Sequence, residues 1–360
     1  MKQDLFRYLP SEIFTDILLR LPLQTTATCK CVCKPWLDLI ESDAFLESHF
    51  SKSAPVLAVS MPATDSNRFH IFKMEEDKHD LITKFDFPQA STIRGSANGL
   101  LLLKNPFIDH LYVCNPITRE FVVLRGRLTC PRGDCYGFGV SRISGQHKVV
   151  YLNPEYGCHV YTLEKGALWR RVETPIPSFA RCYGSTAAFV NGNLHWLVSD
   201  DCDYTAGSYI CCFDVETESF STIPLPFIKW GKLYALGDCL CFILDCYIRG
   251  GSFDPYVIWL FEGYKCWRNV HINMHVISLK VWAQHAADYL RPIKVYENGD
   301  MFMVWKEKRF IYYTNKSKTF RKVDLFSELQ NDRYYINSIL FTPSLLSLKR
   351  NLGMENVMSF

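Results

Sequence analysis

Thiols and imidazoles are the groups in this 360-residue chain best suited to bond chemistry, with 15 cysteines and 10 histidines available. A thiolate can act as a nucleophile or metal ligand, and a histidine can act as a general base near neutral pH. The cysteines stand in apolar surroundings, as in Cys29, Cys31 and Cys33, the neighbours Cys211 and Cys212, and Cys239 with Cys241. No C-x-x-C pair faces a second Cys or His pair at zinc spacing, so reduced, buried thiols are expected, with Cys130 and Cys135 the pair that could depart from this. His195, in the strand-like NLHWLV, has the chemistry of a base, but a lone histidine on a strand is expected to be structural. Asp200, Asp201 and Asp203 could hold calcium, yet they lack the spaced ligands and turn glycine of an EF-hand loop. No G-x-S-x-G, H-E-x-x-H, phosphate-binding glycine loop or zinc quartet occurs. The expectation is no catalytic residue, no metal and no cofactor.

The elements that carry these residues change character along the chain. From Pro55 onward apolar residues alternate as in short strands: Leu57 and Val59, Phe69 and Ile71, Tyr112 and Cys114, Tyr209, Cys211 and Phe213, Phe310 and Tyr312. Asn98-Gly99, Asn191-Gly192 and Asn298-Gly299 each precede an apolar strand, and Gly237-Asp238 and Gly145-Gln146 do the same. These five markers are separated by 47, 46, 46 and 61 residues. After each comes a second strand, a polar turn and a third strand that opens on an aromatic such as Trp169, Phe220, Trp267 or Phe320. Strand repeats of this period predict a β-propeller of about six blades, with those aromatics, Trp196 and Trp305 packing blade on blade. Ile336 to Phe341, followed by Leu345 to Leu348, is available to close the ring.

Residues before Pro55 read as three or four helices. Ile13, Ile17, Leu18 and Leu21 have helical spacing between Pro10 and Pro22; Thr25 or Thr26 could cap a helix through Cys33. Pro35 could open a third helix with Trp36, Leu39 and Ile40, and Ser42 or Asp43 a fourth that buries Phe45, Leu46 and Phe50. So small a unit cannot bury all these apolar faces, so part of them is expected to meet a partner.

Composition narrows the class further. The chain is 48% hydrophobic and 21% charged, with 40 Lys and Arg against 37 Asp and Glu, a net +3 that gives no ground for nucleic-acid binding. No stretch approaches the roughly 20 apolar residues of a membrane span, and the N-terminus lacks a secretory core. The expected location is cytoplasmic, nuclear or both.

The segment LPSEIFTDILLRLPLQTTATCKCVCKPWLDLI, within residues 9 to about 48, resembles the F-box, a helical motif that binds the Skp-type adaptor of cullin–RING ubiquitin ligases. Downstream, IRGSANGLLLL, VCNPITREFVVL, YGFGVSRISGQHKVV and VNGNLHWLV resemble the F-box-associated domain of plant F-box proteins, a kelch-like β-propeller. The resemblance implies a small all-α F-box over residues 1–50 and an all-β propeller domain over 55–350. Thr25, Thr26 and Thr28 stand where the family usually carries apolar residues, which predicts a weaker second helix.

The implied function is a non-catalytic substrate receptor: the F-box binds the adaptor, and through it the cullin–RING ligase, while the propeller holds a target protein for ubiquitination. On the resemblance, Leu9, Pro10, Ile13, Ile17, Leu18, Val32, Lys34, Trp36, Leu39 and Ile40 contact the adaptor or shape the surface that does. Among the propeller's connections Arg125, Arg127 and Arg132 suggest an acidic or phosphorylated target. The alternative is a free-standing propeller that binds or catalyses, with the helical head as a cap.

Overall fold

A computed structural model describes residues 10–62, 67–76, 78–105, 107, 110–124, 134–153, 155–178, 180–199, 208–225, 231–244, 256–262, 266–272, 290–305, 308–326 and 336–360. Four helices come first: α1 (Ser11–Leu19), α2 (Leu23–Cys29), α3 (Lys34–Ile40) and α4 (Asp43–Lys52). Pro10 and Pro22 stand at the N-caps of α1 and α2, where a missing N–H forfeits no helical bond. Pro35 lies in the first turn of α3, and the Ser42 hydroxyl caps α4 by accepting from the Phe45 amide at 3.4 Å.

The second helix departs from expectation at both ends. It starts at Leu23, not after Thr25 or Thr26, and stops at Cys29, leaving Cys31 and Cys33 exposed in the turn before α3. It is nevertheless formed. Thr26 is buried, with its hydroxyl 3.3 Å from the carbonyl oxygens of both Leu18 and Pro22, which is how a threonine occupies a position that an apolar residue would otherwise fill.

Among the described residues after Ser53, all helix-or-strand structure is β. The described strands make five hydrogen-bonded sheets, of four, eight, four, four and five strands. The eight-stranded sheet consists of two antiparallel meanders, residues 135–172 and 181–224, joined by a single parallel pair between Tyr136 and Thr186. Separate sheets thus number five where the repeats predict about six blades, because two meanders touch closely enough to share a bond. Apolar clusters join each meander to the next, and Leu57, Val59 and Phe72 of the first pack against Phe302, Val304 and Tyr312 of the last. The arrangement is all-β and propeller-like.

Closure uses the strand Asn337–Phe341, which pairs antiparallel with Val56–Ser60, so the end of the chain completes the first sheet. Leu345 to Leu348 do not add a strand; they run on toward the helices. A strand that the periodicity does not reveal, Met358–Ser359, pairs with Glu120 and Phe121.

The Asn-Gly turns form because both residues accept positive φ. Asn98 (43°) with Gly99 (82°), and Asn191 (54°) with Gly192 (79°), make two-residue hairpin loops. Gly145 and Gly299 share the conformation within longer connections, 141–146 and 296–300. The third-strand aromatics pack on the strand before them: Phe220 on Phe213 at 5.0 Å, Trp267 on Phe261 at 4.9 Å, Phe320 on Tyr313 at 4.9 Å, Trp169 on Tyr161 at 5.4 Å. In YGFGV, a Cβ on Gly137 would lie 2.7 Å from Leu194 and 2.8 Å from Trp196, so only glycine lets the two adjoining meanders approach.

Candidate functional site

Helix α1 has two apolar faces. Phe14 and Leu18 point inward, where the Phe14 ring lies 4.7 Å from that of Trp36 and Leu18 joins Ile40, Phe45 and Leu345 in the core of the head. Ile13 and Ile17, four residues apart and hence neighbours on one face, point outward with 49% and 43% of their surface exposed. Val32, in the turn between α2 and α3, is 59% exposed, and Pro10 and Lys34 are exposed as well.

The ten residues inferred for the adaptor surface therefore divide. Leu9 lies outside the described residues. Pro10, Ile13, Ile17, Val32 and Lys34 are open to a partner. Leu18 and Ile40, at 1% and 0% exposure, lie in the core of the head, where they hold α1 and α3 together and so shape the surface from within. Trp36 and Leu39 are half-buried against that core. Ile17 is a surface residue, whereas Leu39 belongs to the internal packing.

Sequence reasoning missed the residues that join this head to the β portion. Leu345 fills the head core, and Ile117, from the turn between Leu111–Asn115 and Glu120–Val123, packs against it. The Lys30 ammonium is held between Glu41 Oε1 at 3.1 Å and the Leu345 carbonyl oxygen at 2.7 Å. The Gln24 amide donates to the Ile82 carbonyl. The only sequence signal is the apolar spacing of SLLSL late in the chain, which names no partner.

Turns at the head side are tight. Asn98-Gly99 abuts Ser344, whose hydroxyl donates to the Asn98 carbonyl at 2.9 Å. Antiparallel alternation then sends the strand ends that flank 105–110 and 124–134 to the opposite face. Asn337, which follows the connection 324–336, also lies there, with its Oδ1 accepting from the Ile93 amide at 2.8 Å. Arg125, Arg127 and Arg132 lie outside the described residues, as do Asp200, Asp201 and Asp203. Asp134, at the exit of the arginine-bearing connection, is anchored by Tyr151, whose hydroxyl donates to it at 3.0 Å, and by Lys104 at 3.4 Å. Phe107 stands 93% exposed on the same face.

The groups considered for bond chemistry have structural surroundings. His195 is fully buried, with Nδ1 3.0 Å from the Ala188 carbonyl oxygen and Nε2 3.5 Å from Cys212 Sγ, and burial pulls its pKa down to about 4. Cys135 is a buried thiol raised by its hydrogen bond with Cys182 and by burial, and Cys130 lies outside the described residues. Among the described residues no three His, Cys, Asp or Glu side chains gather as a metal site would require, and no helix is long and apolar enough to cross a membrane.

Comparison with known proteins gives this geometry its context. The Arabidopsis thaliana F-box protein CPR1 is 26% identical over 334 residues, 79% of this chain and 76% of that protein. F-box protein At3g07870, from the same plant, is 24% identical over 90% of this chain and 88% of its own length. A third, At3g16210, is 29% identical over 62% of each chain, so the chain spans about three fifths of the length of that relative. The F-box domain family matches residues 6–48, which take in α1 to α3, the start of α4 and the exposed Ile13 and Ile17. Since the F-box associated beta propeller domain family matches residues 48–342, most of the chain's length, the chain belongs to that family and carries an F-box domain ahead of it.

Proposed function

We propose that the chain is the substrate-recognition subunit of a Skp–cullin–F-box ubiquitin ligase, with the head on the adaptor and the propeller holding a target protein. The observation that carries this reading is that Ile13, Ile17 and Val32, with Pro10 and Lys34, are exposed on a head whose other large apolar side chains are buried or half-buried. Ile13 and Ile17 share one face of α1, and exposed aliphatics rimmed by charge are what helix-against-helix docking needs. The six meanders count as six blades, two of them sharing a sheet. The target would dock on the face away from the head, where connections are free to vary without disturbing the blades. Arg125, Arg127 and Arg132 would give that face an acidic or phosphorylated preference. Nothing in this role requires bond chemistry from the chain; it supplies proximity between an acceptor lysine and a conjugating enzyme held elsewhere. The same role places the protein in the cytosol, the nucleus or both.

The experiment is a pull-down with purified Skp adaptor. The intact chain should bind; residues 51 to 360 alone, and a Leu9→Ala, Pro10→Ala variant, should not. No binding by the intact folded chain would overturn the reading and leave the propeller as a free-standing binding or enzymatic domain.

A further inference from the structure

Two elements far apart in sequence meet where the head joins the propeller. The covalent link is short: α4 ends at Lys52 and the first strand begins at Val56. Residues 344–351 add a second connection, with side chains committed in both directions. Toward the head, Leu345 is fully buried among Leu18, Ile40 and Phe45. Arg350 lies 3.0 Å from Glu41 and 3.4 Å from Asp38, and the Asn351 amide donates to the Glu41 carbonyl at 2.9 Å. Toward the propeller, the Asn115 amide donates to the Ser344 and Leu346 carbonyls at 3.1 and 2.8 Å. Glu120 accepts from the Ser347 hydroxyl at 2.9 Å and the Leu348 amide at 2.7 Å, and Leu348 is buried in a propeller cluster.

A single chain crossing would leave the head free to swing, since hinges need only a few residues of loop. A second, hydrogen-bonded crossing, with Ile117 as a third point of contact, removes that freedom. We propose that residues 344–351 are a clasp that makes head and propeller one rigid body, and that Leu345, Arg350 and Asn351 are positioning residues that fix where a held target lies relative to the adaptor. This rests on the receptor reading above. In transfer, an acceptor lysine Nζ attacks the thioester that joins ubiquitin's terminal carbonyl to the conjugating enzyme. The isopeptide bond forms, the enzyme's thiolate leaves, and the lysine's proton passes to it or to solvent. Which lysines react depends on which are held within reach.

The test uses the full chain bound to a Skp adaptor and reconstituted with a cullin–RING ligase, with the chain's own lysines as the ubiquitin acceptors. Leu345→Ala and the Arg350→Ala, Asn351→Ala double variant are compared with wild type. Glu355→Ala is the control, because it breaks only the exposed tail pair with Lys165 at 3.4 Å and removes no acceptor lysine. We expect every variant to retain the adaptor. Both clasp variants should give broader X-ray scattering dimensions and spread ubiquitin over about twice as many lysines, while the control matches wild type. Wild-type scattering and lysine maps in the clasp variants would overturn the proposal alone. So would loss of the adaptor in both, since the head could then not keep its binding surface without the tail and the tail would have no separate orienting role. Failure of the wild-type chain to hold the adaptor would instead sink the receptor reading, and the proposal with it.

Discussion

Lys30 and Leu345, 315 positions apart, are bound to each other: the Lys30 ammonium donates to the Leu345 carbonyl at 2.7 Å while the Leu345 side chain completes the core of the head. A four-helix unit this small buries too little surface to be secure alone, and a leucine borrowed from the far end of the chain supplies part of the deficit. Removing its branched end leaves a cavity that α1 and α4 cannot close without moving. Leu345→Ala should therefore cost the head about 2–4 kcal/mol. Hydrogen exchange of α1 and α4 amides would read this as faster exchange, with the strands unaffected; unchanged exchange in both helices would show that the head does not depend on the tail.

Ile13 and Ile17 touch solvent, so replacing them should leave the fold alone. Ile13→Asp with Ile17→Asp should hold the melting temperature within about 2 °C of wild type, because surface substitutions away from special features change stability little. Adaptor affinity should fall at least about tenfold, through loss of apolar contact and burial of charge without a partner. Calorimetric titration of both proteins with adaptor separates the two effects, and unchanged affinity would place the docking surface elsewhere.

Gly99 links the clasp to turn chemistry. Its φ of +82° suits glycine, and a Cβ there would lie 2.5 Å from the Ser344 amide nitrogen. Gly99→Ala should destabilise the protein by about 1–3 kcal/mol through strain and a forced shift of the tail. Gly145, with the same sign of φ but open space around it, isolates the strain. Urea titration of both alanine variants should show the larger loss at Gly99; equal losses would mean that the tail yields without resistance.

These expectations separate what the chain displays from what it conceals. The meanders are legible because alternation, Asn-Gly turns and the recurring aromatic are local, and each repeat states them again. Ile336 to Phe341 could be seen as a closing strand because a ring of meanders leaves an edge to fill. The clasp is not legible: Leu345 and Lys30 carry no pattern that pairs them, and a leucine in SLLSL suits a strand as well as a core. The division of α1 was half visible. Spacing put Ile13, Ile17 and Leu18 on a helix, but only the position of Leu345 and Trp36 decides that Leu18 faces inward and Ile17 outward.

Burial sorts the thiols. Cys31, Cys33 and Cys266 are exposed, whereas Cys114, Cys158, Cys211 and Cys241 are buried. Burial pushes Cys158 up to about 12 and raises Cys114, Cys211 and Cys241 further still. Because the thiolate is the reactive form, iodoacetamide at pH 8 should label the exposed three and spare these four until the protein unfolds. Peptide mass spectrometry reads the pattern directly; early labelling of Cys211 or Cys241 would mean that the sheets bearing them open readily.

His195 and His147 should make the fold sensitive to mild acid. Both are buried and both are pulled down to about 4, chiefly by burial, while an unfolded histidine titrates near 6.5. Between those values the unfolded chain binds protons that the folded chain refuses, so stability is full above about pH 6.5 and is lost as pH falls toward 4. A shift of this size corresponds to roughly 3 kcal/mol per histidine at the acid end. Carboxylates titrating lower contribute a slope in the same direction, so the informative comparison is with His195→Gln, which keeps polar atoms near the Ala188 carbonyl without the titration. The variant should lose less stability than wild type between pH 6.5 and 4.5 in urea titrations. Equal slopes would show that His195 is protonated in the folded protein and that its site admits water.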